Sequence, residues 1–333
     1  MYFKYTAAAL AAVLPLCSAQ TWSKCNPLEK TCPPNKGLAA STYTADFTSA
    51  SALDQWEVTA GKVPVGPQGA EFTVAKQGDA PTIDTDFYFF FGKAEVVMKA
   101  APGTGVVSSI VLESDDLDEV DWEVLGGDTT QVQTNYFGKG DTTTYDRGTY
   151  VPVATPQETF HTYTIDWTKD AVTWSIDGAV VRTLTYNDAK GGTRFPQTPM
   201  RLRLGSWAGG DPSNPKGTIE WAGGLTDYSA GPYTMYVKSV RIENANPAES
   251  YTYSDNSGSW QSIKFDGSVD ISSSSSVTSS TTSTASSASS TSSKTPSTST
   301  LATSTKATPT PSGTSSGSNS SSSAEPTAAV LAF

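Results

Sequence analysis

The feature that most limits the fold of this chain is a succession of short segments rich in β-branched and aromatic residues. Clusters of Gly, Pro, Asn and Asp separate them, and beyond residue 20 no long apolar stripe has the 3.6-residue period of a helix. The candidate strands cover residues 70–74, 87–91, 94–99, 162–167, 171–176, 179–182 and 233–243. Asp177-Gly178, between two of them, predicts a tight hairpin. We therefore predict an all-β fold in which two antiparallel sheets form a sandwich.

Both ends of the chain differ from this β-rich region. Residues 1–19 combine a basic start, a short apolar run and small residues before a cut, which predicts a secretory signal peptide. Residues 267–333 are dominated by Ser and Thr and predict a disordered, O-glycosylated tail with an N-glycosylation acceptor at Asn319. The apolar C-terminal run is short for a glycolipid anchor signal, so anchoring stays open. Residues 20–266 would form one folded domain.

The cysteine, histidine and charge content exclude several classes of site. Secretion favours a disulfide between Cys25 and Cys32, since Cys17 would leave with the signal peptide. His161 is the only histidine, and no Gly-x-Ser-x-Gly elbow accompanies a strand-to-helix pattern, so we interpret it as structural or exposed. We expect no cofactor, no bound metal and no transmembrane segment in the mature chain. The net charge of −11 argues against a nucleic-acid partner and is compatible with neutral polysaccharide.

Residues 113–123 carry seven acidic side chains and no basic one. Within them, Glu119, Asp121 and Glu123 alternate with apolar residues, and on a strand this spacing puts all three carboxylates on one face. Two other interpretations stay open: a solvated acidic strand edge and a calcium site. The remaining acids, which we expect in a solvated turn before the strand, are Glu113, Asp115, Asp116 and Asp118.

Paired carboxylates on one face suit the retaining cleavage of glycosides. Mutual repulsion raises the pKa of one member, so that one carboxyl stays protonated while another is ionised. The carboxylate attacks the anomeric carbon, and the acid protonates the departing oxygen. Such pairs lie about 5–5.5 Å apart, whereas the Cα atoms of Glu119 and Glu123 would be roughly 13 Å apart on a flat strand. We therefore expect the sheet to be concave here.

The acidic motif Glu119-Val-Asp121-Trp-Glu123 resembles the signature of glycoside hydrolase family 16. Over residues 20–245 the chain is similar to the fungal Crh-type enzymes of that family. The segments that carry this likeness are Cys25-Asn-Pro, Thr31-Cys32-Pro-Pro, Gln133-Thr-Asn135-Tyr-Phe137-Gly-Lys-Gly, Trp207-Ala-Gly-Gly and Gly217-Thr-Ile-Glu-Trp221-Ala-Gly-Gly. The resemblance implies a concanavalin-like β-jelly-roll and a cell-wall transglycosylase that links chitin to β-glucan. It also implies that Glu119 is the nucleophile, Glu123 the general acid/base and Asp121 the assisting carboxylate.

A sugar-binding groove should lie beside these carboxylates. The resemblance places it around Gln133, Arg203, Trp207 and Thr218. The alternation in residues 201–207 points Arg203 and Trp207 to one face, where Trp would stack on sugar rings and Arg would donate to their oxygens. Gln133 and Asn135 share a face and would bond hydroxyl groups, unless they cap a turn. Trp207 could instead be a core residue, and Trp221 fits the groove or the core equally well.

The spacing of the carboxylates favours a retaining enzyme, and the resemblance implies a transglycosylase, which we expect to be secreted to the cell wall and to act as a monomer. The resemblance also implies that it cleaves a chitin-type β-1,4 donor and transfers it to β-glucan or chitin. No residue pattern distinguishes transfer from hydrolysis, so an endo-acting β-glucanase or chitinase is the alternative. A non-catalytic glycan-binding wall protein is a third candidate.

Overall fold

The computed structural model of the chain describes residues 23–267. Its strands are β1 (Asn35–Lys36), β2 (Thr42–Asp46), β3 (Trp56–Ala60), β4 (Val65–Gly66), β5 (Gly69–Val74), β6 (Thr82–Thr85), β7 (Gly92–Lys99), β8 (Val106–Ser114), β9 (Glu119–Leu125), β10 (Gln131–Phe137), β11 (Thr149–Pro152), β12 (His161–Trp167), β13 (Ala171–Ile176), β14 (Ala179–Thr185), β15 (Met200–Ala208), β16 (Tyr233–Asn244), β17 (Ser250–Tyr253) and β18 (Ile263–Asp266). The helical segments are α1 (Lys216–Trp221) and single 3-10 turns at Ala50–Leu53, Tyr228–Ala230 and Trp260–Ser262.

Two large sheets make up the sandwich. One has the strand order β11-β10-β9-β8-β15-β6-β3, and the other has the order β14-β13-β12-β7-β16-β5-β4 with β2 paired to β16. The ladders within them are antiparallel, so the predicted fold class is confirmed. A small third sheet, β1-β17-β18, accompanies them.

The hydrophobic core lies between the two large sheets. The apolar side chains of β9 alternate with its carboxylates as predicted, and Val120, Trp122 and Val124 are fully buried in the core. Leu202 and Leu204 of β15 are also fully buried in the core. Because both strands send alternate residues into the core, the intervening residues of β9 and β15 share the opposite face of their sheet.

The predicted hairpin at Asp177-Gly178 is present between β13 and β14. Both residues have positive φ angles, 50° and 81°, as the two-residue turn with this twist requires. The predicted pair Cys25–Cys32 forms a disulfide with a Cα separation of 5.8 Å.

Residues 87–91 do not form the regular strand that their aromatic composition predicts. Tyr88 and Phe89 make only isolated bridges, and Phe91 has a positive φ of 55°. The backbone of Phe90 pairs with side chains instead of a strand: its N–H donates to Oδ1 of Asn244, and its carbonyl accepts from Nδ2 of Asn246. Propensity for a strand was overridden here by side-chain amides distant in sequence.

Three further predictions concern residues beyond this region. The signal peptide (1–19), nearly all of the Ser/Thr-rich tail and Asn319 lie outside the described residues, and the domain bounds stay a prediction.

Within residues 23–267, no helix is long and apolar enough to span a membrane. In the same range, no three His, Cys, Asp or Glu side chains are arranged to hold a metal ion.

Candidate active site

The three carboxylates of β9 lie side by side on the face of the seven-stranded sheet that points away from the core. Although this face is not part of the core, Glu119, Asp121 and Glu123 are only 1–2% exposed. The backbone of the strand is held from the core side, where the indole Nε1 of Trp174 donates to the carbonyl of Asp121 at 3.1 Å. The other sheet of the sandwich therefore helps to fix the backbone of the strand that carries the three carboxylates.

Strand register places a defined neighbour beside each carboxylate. On β10, Phe137 is opposite Glu119, Asn135 is opposite Asp121 and Gln133 is opposite Glu123. Directly opposite residues in an antiparallel ladder have Cβ atoms about 4.5–5.5 Å apart. The two amides predicted to bind substrate thus lie next to two of the carboxylates, and Oδ1 of Asn135 is buried with no hydrogen-bond partner among the described residues.

Burial and mutual repulsion keep protons on this face. Burial raises the pKa of Glu123 well above its usual value, and the charge of Glu119 adds to the effect. The pKa of Asp121 is raised in the same way by burial, then by Glu119 and Glu123. A side-chain hydrogen bond joins Asp121 to Glu119. Ser109 donates weakly to Glu123 at 3.4 Å. A protonated Glu123 on the same face as Glu119 is the acid and carboxylate combination that retaining chemistry needs.

The acids that precede the motif are buried, so the prediction of a solvated turn is wrong for most of them. Glu113, Asp116 and Asp118 are 0–1% exposed. The carboxylate of Asp118 accepts from the backbone N–H groups of Lys139 and Gln197 at 2.9 and 2.8 Å. Segments far away in sequence enclose this turn, which no local pattern could reveal.

Arg203 lies on the predicted face, but it binds protein carboxylates. Its Nε and Nη2 donate to both oxygens of Asp84 at 2.9 and 3.1 Å, and its Nη1 lies 2.5 Å from Oε2 of Glu113. Arg201 also approaches Asp84, at 3.5 Å. Both carboxylates are 1% exposed. Sequence reasoning missed Asp84 and the role of Glu113, and a role for Arg203 in binding sugar stays a prediction.

Trp207 and Trp221 form one wall beside the carboxylates. Their rings stack with centroids 6.1 Å apart, in a small cluster separate from the main core. Nε1 of Trp221 donates to Oε1 of Gln133 at 3.3 Å, which ties α1 to β10. Thr218, on the same helix, is fully buried. Both side chains are only 6% exposed, so a place in the groove stays a prediction for each.

Tyr150 is a site residue that sequence reasoning missed. It lies on β11 directly opposite Gln133, so it extends the row that begins at Glu123. Its side chain bonds to Trp221, and burial followed by the charge of Glu123 raises the pKa of Tyr150 to about 12. The residue is still 42% exposed. An exposed aromatic ring in this row suits a sugar platform.

Comparison with known proteins agrees with this architecture. The family model of glycosyl hydrolases family 16 matches residues 50–223. Crh-like protein 1 of Aspergillus fumigatus is 58% identical over 255 residues, which cover 77% of this chain and 69% of that protein. Crh-like protein 2 of Botryotinia fuckeliana is 54% identical over 252 residues, or 75% of this chain and 56% of that protein, so the chain spans little more than half of that relative.

Solved structures extend the likeness. A Crh5 transglycosylase in complex with NAG is 99% identical, with a TM-score of 0.72, and covers 73% of this chain and 100% of its own. A Bacillus licheniformis β-glucanase shares the fold at 24% identity and a TM-score of 0.52, over 62% of this chain and 99% of its own. The jelly-roll prediction is therefore confirmed. With the family model and these relatives in agreement, the chain belongs to glycosyl hydrolase family 16, in the group of Crh-like proteins.

Proposed function

We propose that this chain is a retaining transglycosylase that cleaves a β-linked cell-wall glycan and rejoins it to another. The observation that carries the proposal is the arrangement on β9. Glu119 and Asp121 share a hydrogen bond, and Glu123, two residues on, has a raised pKa on the same buried face. The description of the 99% identical relative as a transglycosylase supports transfer over plain hydrolysis.

In the first half of the reaction, the Glu119 carboxylate attacks the anomeric carbon of the donor. The bond from that carbon to the leaving oxygen breaks, and Glu123 gives its proton to this oxygen. The products are a glycosyl ester on Glu119 and a shortened glycan. In the second half, the Glu123 carboxylate takes a proton from an acceptor hydroxyl, whose oxygen displaces Glu119. Both carboxyl groups end in their starting states.

Asp121 fits the role of an assisting carboxyl between the two. Its pKa is raised and it bonds to Glu119, so it holds a proton and donates to that carboxylate. A hydrogen bond to one oxygen of Glu119 leaves the other oxygen to attack and eases the departure of the carboxylate when the ester is cleaved.

We infer a chitin-type donor and a β-glucan or chitin acceptor, bound by a monomer in the fungal cell wall after secretion. The NAG bound to the 99% identical relative supports an acetamido sugar in the donor. Asn135, with a buried unpaired oxygen, and the aromatic rings of Tyr150, Trp207 and Trp221 offer the amide and stacking contacts that neutral sugars require.

The test is an acceptor assay with a fluorescent chitooligosaccharide donor, with and without β-glucan. We expect labelled hybrid product only when the acceptor is present. Glu119→Gln and Glu123→Gln should each lower product formation by at least about 100-fold, since each removes a group that reacts. Glu158→Gln, which changes an exposed glutamate between β11 and β12, is the matched control. Labelled fragments without any hybrid would favour a hydrolase, and full activity in both site variants would refute catalysis by this pair.

A further inference from the structure

Glu113 is a buried carboxyl group that the proposed reaction leaves unused. It lies on β8 directly opposite Glu119, so the two side chains are cross-strand neighbours on the same face. Glu113 is 1% exposed, and neither of its side-chain oxygens has a hydrogen-bond partner among the described residues. A buried polar oxygen beside the nucleophile needs an explanation, because an unsatisfied group costs stability.

Arg203 fixes Glu113 from the other side. Its Nη1 contacts only one oxygen of Glu113, Oε2, at 2.5 Å, while the rest of the guanidinium is held by Asp84. The planar fork of an arginine held at two points leaves its partner little freedom. The ion pair therefore holds Glu113 at Oε2, so that Oε1 can bond to the neighbouring strand.

We propose that Glu113 is a positioning residue for Glu119: held by Arg203, it remains a carboxylic acid and donates a hydrogen bond from Oε1 to the Glu119 carboxylate. This inference rests on the proposed function, in which Glu119 is the nucleophile. Together with Asp121, it would bond the oxygen of Glu119 that does not attack, with one donor on the same strand and one on the next.

Carboxyl groups outnumber guanidinium groups around Glu113 on this face. The charged and titratable groups that face it are Glu57 on β3, Asp84 on β6, Tyr88 between β6 and β7, Glu119, Asp121 and Glu123 on β9, Tyr150 on β11, and Arg201 and Arg203 on β15. Burial raises the pKa of Glu113 to about 8 against the opposing effect of Arg203, and the charge of Glu119 adds to the rise, which agrees with a Glu113 that keeps its proton.

The test compares two substitutions of Glu113, which lies opposite Glu119, with one substitution of Arg203, which holds Glu113. Glu113→Gln keeps the shape and supplies an amide N–H donor, so kcat should stay within about threefold of the unchanged enzyme. Glu113→Ala removes the donor, and kcat should fall roughly 10- to 100-fold with KM unchanged, since a hydrogen bond to a charged group has this value. Arg203→Met, which releases the clamp, should also lower kcat more than it raises KM. Glu158→Ala serves as the exposed control.

Each alternative has its own signature. A kcat for Glu113→Gln as low as that for Glu113→Ala would show that the charge of Glu113 matters, and would overturn the donated hydrogen bond. An unchanged kcat in Glu113→Ala would remove the role altogether. An increase in KM alone for Arg203→Met would make Arg203 a sugar ligand and would overturn its role in holding Glu113. Product formation by Glu119→Gln separates these outcomes from failure of the proposed function, because that variant tests the nucleophile directly. Melting temperatures of the variants check that each is folded.

Discussion

Asp118 is the buried carboxylate whose loss should destabilise the domain most clearly. It accepts hydrogen bonds from two backbone N–H groups, of Lys139 and Gln197, and from the hydroxyl of Thr198 at 3.0 Å. The ammonium of Lys139 lies 3.7 Å from the same carboxylate. Asp118→Ala removes all of these acceptors inside a fully buried site.

The cost follows from the donors left behind. Two orphaned backbone N–H groups cost about 1–3 kcal/mol each, or about 2–6 kcal/mol together. Removing Asp118 also relieves repulsion of Asp116, which offsets part of this loss. We expect a net loss of about 3 kcal/mol, which corresponds to a decrease in Tm of about 6–12 °C for a domain of this size.

Differential scanning calorimetry of two variants and a control tests the reasoning. Asp118→Asn keeps one acceptor oxygen and should lose less stability than Asp118→Ala. Asp170→Ala changes an aspartate whose side chain is 76% exposed, so its Tm should match that of the unchanged protein. A Tm for Asp118→Ala within about 2 °C of the unchanged protein would refute the buried-acceptor argument.

Two further predictions concern pH and loop packing. Burial, aided by Asp118, raises the pKa of Asp116 to about 7, so at mildly acidic pH the folded chain holds a proton that the unfolded chain has lost. Tm should therefore decrease as the pH rises from about 5 to about 8, and less steeply in Asp116→Asn; equal slopes in thermal scans would contradict this. In Gly210→Ala the new Cβ would lie 2.2 Å from the carbonyl oxygen of Gly224, so the loops around α1 must shift and KM for the donor should rise. Gly127→Ala is the control, because its new Cβ would lie 3.4 Å from the nearest atom. An equal KM in the two variants would rule out a link between this loop and donor binding.

Much of the fold could be predicted because it depends on local patterns. The alternation of β9 identified both the three carboxylates and the core side chains between them, and Asp177-Gly178 identified a hairpin. These predictions succeed because strand periodicity and turn chemistry act over a few residues. The concave curvature expected at β9 stays a prediction.

The surroundings of the carboxylates could not be predicted in the same way. Glu113 was assigned to a solvated turn, although it is buried between Arg203 and the strand of Glu119. Asp84, which completes that ion pair, is 119 residues away from Arg203 in the chain. Tyr150 joined the site because β11 pairs with β10.

By itself, then, the sequence determined which residues could react: the spacing of Glu119, Asp121 and Glu123 requires one shared face on any strand. Only the tertiary structure decided the pKa shifts of Asp121 and Glu123 and the neighbours of all three carboxylates. Burial and repulsion raise the pKa values of Asp121 and Glu123, and burial arises when sheets pack and distant segments enclose the turn. Strand register depends on how β8, β9 and β15 pair. It placed Glu113 opposite the proposed nucleophile, Glu119, and brought Arg203 into contact with Glu113.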